Sequence, residues 1–160
     1  MNNLQSITLD HITFFPPVVQ RQAEQLLLKM NASVEAAIWH EVSLGYATIH
    51  VPEIIYNERL PQKYIEMCGH IEKQQYYCLF SRHFQWKVRI DALRQLQKMD
   101  ALYDWTIPFL MLGTVDYSME VQQLSRQLLS TFDAREIERI SYHNVSFLHA
   151  IKTLAMQKPY

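Results

Sequence analysis

Apolar residues recur every three or four positions along almost the whole chain, and two-residue alternation is scarce, a pattern that predicts helices. Val19, Ala23, Leu26, Leu27 and Met30 share one face after the Pro16-Pro17 pair, which suits the opening of a helix. Ser33 reads as the N-cap of a second helix burying Val34, Ala37, Ile38, Val42 and Gly45 and fading by Ile49. Pro52 and Pro61 each suit a first helical turn, so the stretch from His50 to Met67 reads as two short helices or one kinked helix. From Ile71 to Arg82 the aromatic run Tyr76, Tyr77, Leu79, Phe80 is compatible with helix or strand, and its context favours helix.

The second half carries stronger punctuation. Between Trp86 and Met99, Val88, Ala92, Leu96 and Met99 form one stripe and Lys87, Asp91, Arg94 and Lys98 another, the pattern of an amphipathic helix with charge pairs three and four residues apart. Asp100 is placed to cap a helix over Ala101–Leu112 that is apolar nearly all round, with Gly113 as its terminator. Ser118 caps Met119–Thr131, Asp133 caps a short helix ending near Tyr142, and Asn144–Gln157 forms the last helix, stopping before Pro159. The apolar residues Val19, Ile54, Val88 and Val121 are spaced 35, 34 and 33 residues apart. Three of these four open the same series, a small residue four later and a Leu eight later: Val19, Ala23, Leu27; Val88, Ala92, Leu96; and Val121, Ser125, Leu129. At Ile54 the spacing persists with Glu58 and Gln62 in those places. A period of this size belongs to repeating helix pairs that bury a shared core only by stacking.

In that setting the sequence resembles a HEAT-like repeat protein. The family's pair carries a Pro in its first helix, an Asp in the turn, and a Val followed by a basic residue in the second helix. Here Pro108, Asp116 and Val121 fall in that order, with Gln122 in place of the basic residue. Val88-Arg89 matches the second-helix pair, while Gln75 and His83 stand where Pro and Asp would be. The resemblance implies an all-α fold, a short right-handed solenoid of about four stacked antiparallel helix pairs; an irregular helical bundle is the alternative. As one domain over 1–160, it divides into an N-terminal segment (1–15), degenerate N-terminal helices (16–69), the best HEAT-like repeats (70–132) and capping helices (133–160).

Composition trims the functional choices. The chain of 160 residues is 49% apolar, enough for a core without metal or disulfide staples. Gly45, Gly69 and Gly113 are isolated, so there is neither a G-x-G-x-x-G fingerprint nor a phosphate-cradling loop. Cys68 and Cys78 form no C-x-x-C motif, and a reduced, cytoplasmic setting fits them best. No positive residue precedes Arg21, which leaves no signal-peptide pattern, and the charge-free runs of 11 residues after Glu41 and Asp104 are too short to span a bilayer. Among His11, His40, His50, His70, His83, His143 and His149 there is no H-x-x-x-H pair, and Cys68 and His70 would diverge by roughly 200° on an unbroken helix. No metal, cofactor or catalytic residue is therefore predicted. Trp39, Trp86, Trp105 and most of the other aromatics are expected in the core.

In HEAT-like arrays the second helices line the concave side, so the resemblance implies a protein-binding face made of Lys87, Asp91, Arg94 and Lys98 together with Glu120, Gln123 and Gln127. Such a module would act as an adaptor, an assembly chaperone, or an inhibitor such as a toxin-neutralising immunity protein. The alternative is an alkylation-repair glycosylase, which is built on similar repeats and can show a motif like Trp86-Lys87-Val88-Arg89. Residues 82–98 carry Arg82, Lys87, Arg89, Arg94 and Lys98 against Asp91 alone, whereas residues 100–138 carry seven acids against Arg126 and Arg135. That mixed surface, with a net charge of -1 overall, favours a protein partner over a nucleic-acid backbone.

Overall fold

A computed structural model describes residues 5–7 and 14–157. The order of elements is β1 (Gln5–Ile7), α1 (Gln20–Lys29), β2 (Val34–Ala36), β3 (Trp39–Ser43), β4 (Thr48–Pro52), α2 (Gln62–Met67), α3 (His70–Phe80), α4 (Trp86–Gln97), α5 (Ile107–Gly113), α6 (Met119–Leu129), α7 (Ala134–His143) and α8 (Val145–Met156). The protein is thus mainly helical, with two small antiparallel sheets, β1–β2 and β3–β4. The segment expected over 1–15 falls mostly outside the described residues, as does His11.

Helices α1, α4 and α8 form on the apolar stripe without a side-chain cap, and α6 and α7 on stripe and cap together. Pro17–Val19 forms a 3-10 turn that leads into α1. The Ser118 hydroxyl accepts the Val121 N–H at the start of α6, and Asp133 accepts the Arg135 N–H at the start of α7. α3 packs on α4, α5 on α6, and α4 on α6. Their shared interior holds Leu79, Leu93, Leu96, Leu110 and Leu112, continuous with an aromatic cluster in which Phe15 meets Trp105 edge-on at 5.0 Å and stacks on Phe109 at 5.8 Å. Trp105 is buried, whereas Trp86 is half exposed and Trp39 partly buried, so of the three tryptophans one is in the core as expected.

Gly113 shows why the positions facing one another here are small. A Cβ at Gly113 would lie 2.0 Å from Ser125 Oγ and 2.9 Å from Ser125 Cβ, so α5 and α6 approach closely only because one residue has no side chain and the other a short one. Gly113 is the last residue of α5 rather than the residue beyond it.

The helix expected over Ser33–Ile49 is replaced by β2 and the β3–β4 hairpin. In β4, Ile49 and Val51 are buried while Thr48 is exposed and His50 only partly covered, and Val42 opposite Ile49 is buried as well. This β-branched alternation, with Gly45 at φ +91° in the connecting turn, outweighs the three- and four-residue spacing of Val34, Ala37, Ile38 and Val42. Pro52 accordingly ends β4 instead of opening a helix, and between His50 and Met67 only 62–67 is helical, directly after Pro61. Within the stretch 16–69 the α-helices are α1 and α2 alone, and Ile54 lies in extended chain.

The helix expected over Ala101–Leu112 begins later, with a 3-10 turn at Asp104–Thr106 followed by α5. Pro108 lacks the N–H that a helix interior requires, so it fits only in the first turn. Buried Gln74 organises the preceding loop: its Oε1 accepts from Tyr103 N (2.7 Å) and Thr106 Oγ1 (2.9 Å), and its Nε2 donates to Ala101 O (3.1 Å).

Two asparagines fasten strands to other parts of the fold, Asn57 from the extended chain before α2 and Asn144 from the helices. Asn57 accepts from Glu35 N (2.8 Å) and donates to Ser33 O (3.0 Å). Asn144, at the α7–α8 junction, accepts from Ser43 N (2.7 Å) and donates to Ser43 O (2.8 Å). Each side-chain amide pairs with backbone as a neighbouring strand would. Arg139 of α7 donates to Leu44 O and lies 3.3 Å from Asp104, which also accepts from Tyr46 Oη at 2.7 Å.

Candidate functional site

Two residues on which the sequence resemblance rests, Arg89 and Asp116, meet in space. Arg89, beside Val88 on α4, places Nη2 2.8 Å from Oδ1 of Asp116 in the α5–α6 turn, and its Nη1 donates to the carbonyls of His83 and Phe84. Asp116 Oδ1 also accepts from Ser118 N at 2.9 Å, and Gln122 donates its amide to Asp116 O. Arg82 donates through Nε and Nη2 to Glu53 O, with Nη1 4.0 Å from Asp116 Oδ2. Desolvation pushes the Arg82 guanidinium down to about 10, and Arg89 adds to the fall while Asp116 opposes it. That is still well above neutrality, so two buried cations share one buried carboxylate.

This node alters the surface electrostatics. Two of the five cations counted in residues 82–98 are buried structural groups, leaving Lys87, Arg94 and Lys98 exposed beside Asp91. Arg94 in turn pairs with Glu120 of α6, and Gln97 Nε2 donates to Gln127 Oε1 at 3.0 Å. The α4 stripe and the α6 residues therefore belong to one continuous exposed face, with Gln123 exposed on α6 and Lys87 Nζ 5.6 Å from the Trp86 ring centre.

Along the other flank of α4 runs a groove. Its larger section, about 500 Å³, is floored by Tyr76, Tyr77, Phe80, Val88 and Ala92 and rimmed by Arg59, Gln62, Asp91, Arg94, Gln95 and Lys98. A second section of about 320 Å³ shares Gln62, Tyr77, Gln95 and Lys98 and adds Ile65, Glu66, Lys73 and Met99. Asp91, Arg94 and Lys98 thus line the groove, whereas Lys87, Glu120, Gln123 and Gln127 do not. The wall opposite α4 is formed by extended chain and α2, and Arg59 crosses to Asp91 at 3.5 Å. Tyr76 Oη accepts from Leu60 N at 3.2 Å, and desolvation pushes the Tyr76 phenol up to about 12, so the floor is uncharged. Sequence reasoning missed Arg59, Leu60 and Gln62, while Tyr76, Tyr77 and Phe80 stood out only as an aromatic run.

The extended chain is anchored behind that wall. Ile55 N donates to Arg82 O and Phe84 N to Ile55 O, and His83 Nε2 lies 2.9 Å from Asn57 O. A carbonyl can only accept, so Nε2 carries the proton. His83 Nδ1 accepts the Gln85 N–H at 3.2 Å. Neutral His83 thus satisfies both ring nitrogens, and burial, assisted by Arg59 and Arg89 and opposed by the Asn57 carbonyl, holds its pKa below 6.5. Because the unfolded chain takes up the proton first, the His83 contribution to stability is complete above about pH 6.5 and falls away as the pH drops through that value, levelling off below the folded-state pKa. Thermal melts at about pH 7.5 and pH 5 are expected to show a smaller acid-induced loss for His83→Gln than for the wild type. Equal losses would remove His83 as a source of acid sensitivity.

The described residues hold no group of three or more His, Cys, Asp or Glu placed to bind a metal ion. The helix does break between Cys68 and His70, at Gly69, and Cys68 Sγ lies 3.1 Å from Tyr64 O and 3.7 Å from Lys29 Nζ. No helix among the described residues is long and apolar enough to cross a membrane. Comparison of the chain with protein-family models, with curated proteins and with solved structures found no match in any of the three.

Proposed function

We propose that the chain is a non-enzymatic protein-interaction module built on a short HEAT-like array, and that it binds a protein partner across α4, α6 and the adjoining groove as an adaptor, assembly chaperone or inhibitor. The observation that carries this reading is the groove itself: an aromatic and aliphatic floor rimmed by charged groups of both signs, the composition of a protein-binding patch. The array is supported by the packing of α3 on α4, α5 on α6 and α4 on α6, and by the Arg89–Asp116 contact that ties one pair to the next. The glycosylase alternative loses ground, because burial of Arg82 and Arg89 leaves few cations to neutralise phosphates.

The test is capture of the partner from the native host, identified by mass spectrometry, with wild-type protein and with the triple variant Lys87→Glu, Arg94→Glu, Lys98→Glu. The variant is expected to lose the partner while each exposed site changes stability by no more than about 0.5 kcal/mol, with up to about 1 kcal/mol where Arg94 leaves Glu120. Undiminished capture by the triple variant would rule out this face. Retention on double-stranded DNA with a steep salt dependence would favour the glycosylase.

A further inference from the structure

We infer that the groove between α4 and α2 receives a short extended segment of the partner, rich in Asp and Glu around one large apolar side chain; the inference rests on the interaction-module reading and specifies its ligand. Four cations line the two sections, Arg59, Lys73, Arg94 and Lys98, against the two acids Glu66 and Asp91. Arg59 is spent on Asp91 and Arg94 on Glu120, whereas neither Lys73 nor Lys98 has an ion-pair partner among the described residues. At the Lys73–Lys98 end the two lysines stand against Glu66 alone, a surplus of one positive charge, and carboxylates complement it. Beside it, Tyr77, Phe80, Val88 and Ala92 offer an uncharged floor for one aromatic or aliphatic anchor.

Extended backbone is favoured by what spans the two sections. Gln62 and Gln95 line both, one on each wall, and their amides make no hydrogen bond among the described residues. Each offers a donor and an acceptor. Asn57 and Asn144 use that same pair to hold the backbone of 33–35 and of Ser43, so this fold already pairs side-chain amides with extended chain. From Val88 to Lys98 the wall runs roughly 15 Å at 1.5 Å per residue, which matches about four or five residues of extended chain at 3.3 Å each.

The probe is a fluorescein-labelled octapeptide of alternating Asp and Glu with a central Phe, titrated by anisotropy against the full chain. Saturable binding with a dissociation constant below about 100 µM is expected, weakened at least tenfold when Ala replaces the Phe, when Lys replaces the acids, or in the variant Lys73→Glu, Gln95→Ala. Gln62→Ala, at an exposed position, serves if that variant fails to melt as the wild type does, with a loss of threefold or more expected. No saturation, equal binding of the Lys-rich peptide, or undiminished binding by a folded groove variant overturns the inference. Native partner capture separates the two readings. A partner lost by Lys87→Glu, Arg94→Glu, Lys98→Glu but kept by Lys73→Glu, Gln95→Ala leaves the interaction module standing and removes the acidic segment. A partner kept by both variants removes both.

Discussion

Asp116→Ala is expected to cost about 3–5 kcal/mol of stability, the penalty for leaving buried charge without its counterion. Among the described residues Asp116 is the one carboxylate in contact with two buried guanidiniums, those of Arg82 and Arg89, and it also receives the Ser118 N–H that starts α6. At roughly 2–4 °C per kcal/mol for a chain of this size, the melting temperature should fall on the order of 10 °C. Asp116→Asn should lie between alanine and wild type, because it keeps an acceptor for Ser118 and Arg89 but surrenders the charge. Urea titration of the three proteins would decide the matter. An alanine variant within about 1 kcal/mol of wild type would show that the arginines do not depend on this carboxylate.

Gly113→Ala is expected to cost about 2 kcal/mol, in the range typical of overpacking. Alanine is the better helix former by up to about 1 kcal/mol, yet a methyl 2.0 Å from Ser125 Oγ and 2.9 Å from Ser125 Cβ forces α5 and α6 apart. Ser125→Ala alone should be neutral or slightly stabilising, because Ser125 Oγ is buried without a hydrogen-bond partner. It should recover only part of the Gly113→Ala loss, since the 2.9 Å conflict with Cβ remains. Melting curves of both single variants and the double variant test the close approach. A Gly113→Ala protein as stable as the wild type would mean the helices have room to spare.

Much of the helical framework is legible from the apolar stripe alone in α1, α4 and α8 and from stripe and cap together in α6 and α7. The residues that went wrong share a physical cause. In Ser33–Ile49 a helix-like spacing coexisted with the alternation Thr48, Ile49, His50, Val51, and only pairing with β3 decides between them. α5 starts later than its apolar pattern predicts because Gln74, a residue of another helix, holds 101–106 in an irregular path.

The candidate site divides in the same way. Asp91, Arg94 and Lys98 were visible as a charged stripe, a property of one helix. The opposite wall depends on an extended chain whose course is set by bonds from Ile55 to Arg82 and Phe84, and nothing in the local pattern of 53–61 reports those bonds. Likewise Arg89 and Asp116 each carried a motif position, but 27 residues separate them and their contact exists only once α4 lies against the α5–α6 turn.

The bond pair between Ser43 and Asn144 spans 101 residues, so the hairpin grips the junction of α7 and α8. An open stack of helix pairs tolerates duplication of a unit, because each unit touches only its neighbours. Here an extra pair inserted between α6 and α7 would carry Asn144 away by about the 8–10 Å that separates packed helices, and the clasp would part. The number of helices between its two jaws is therefore set by the reach of a single hairpin.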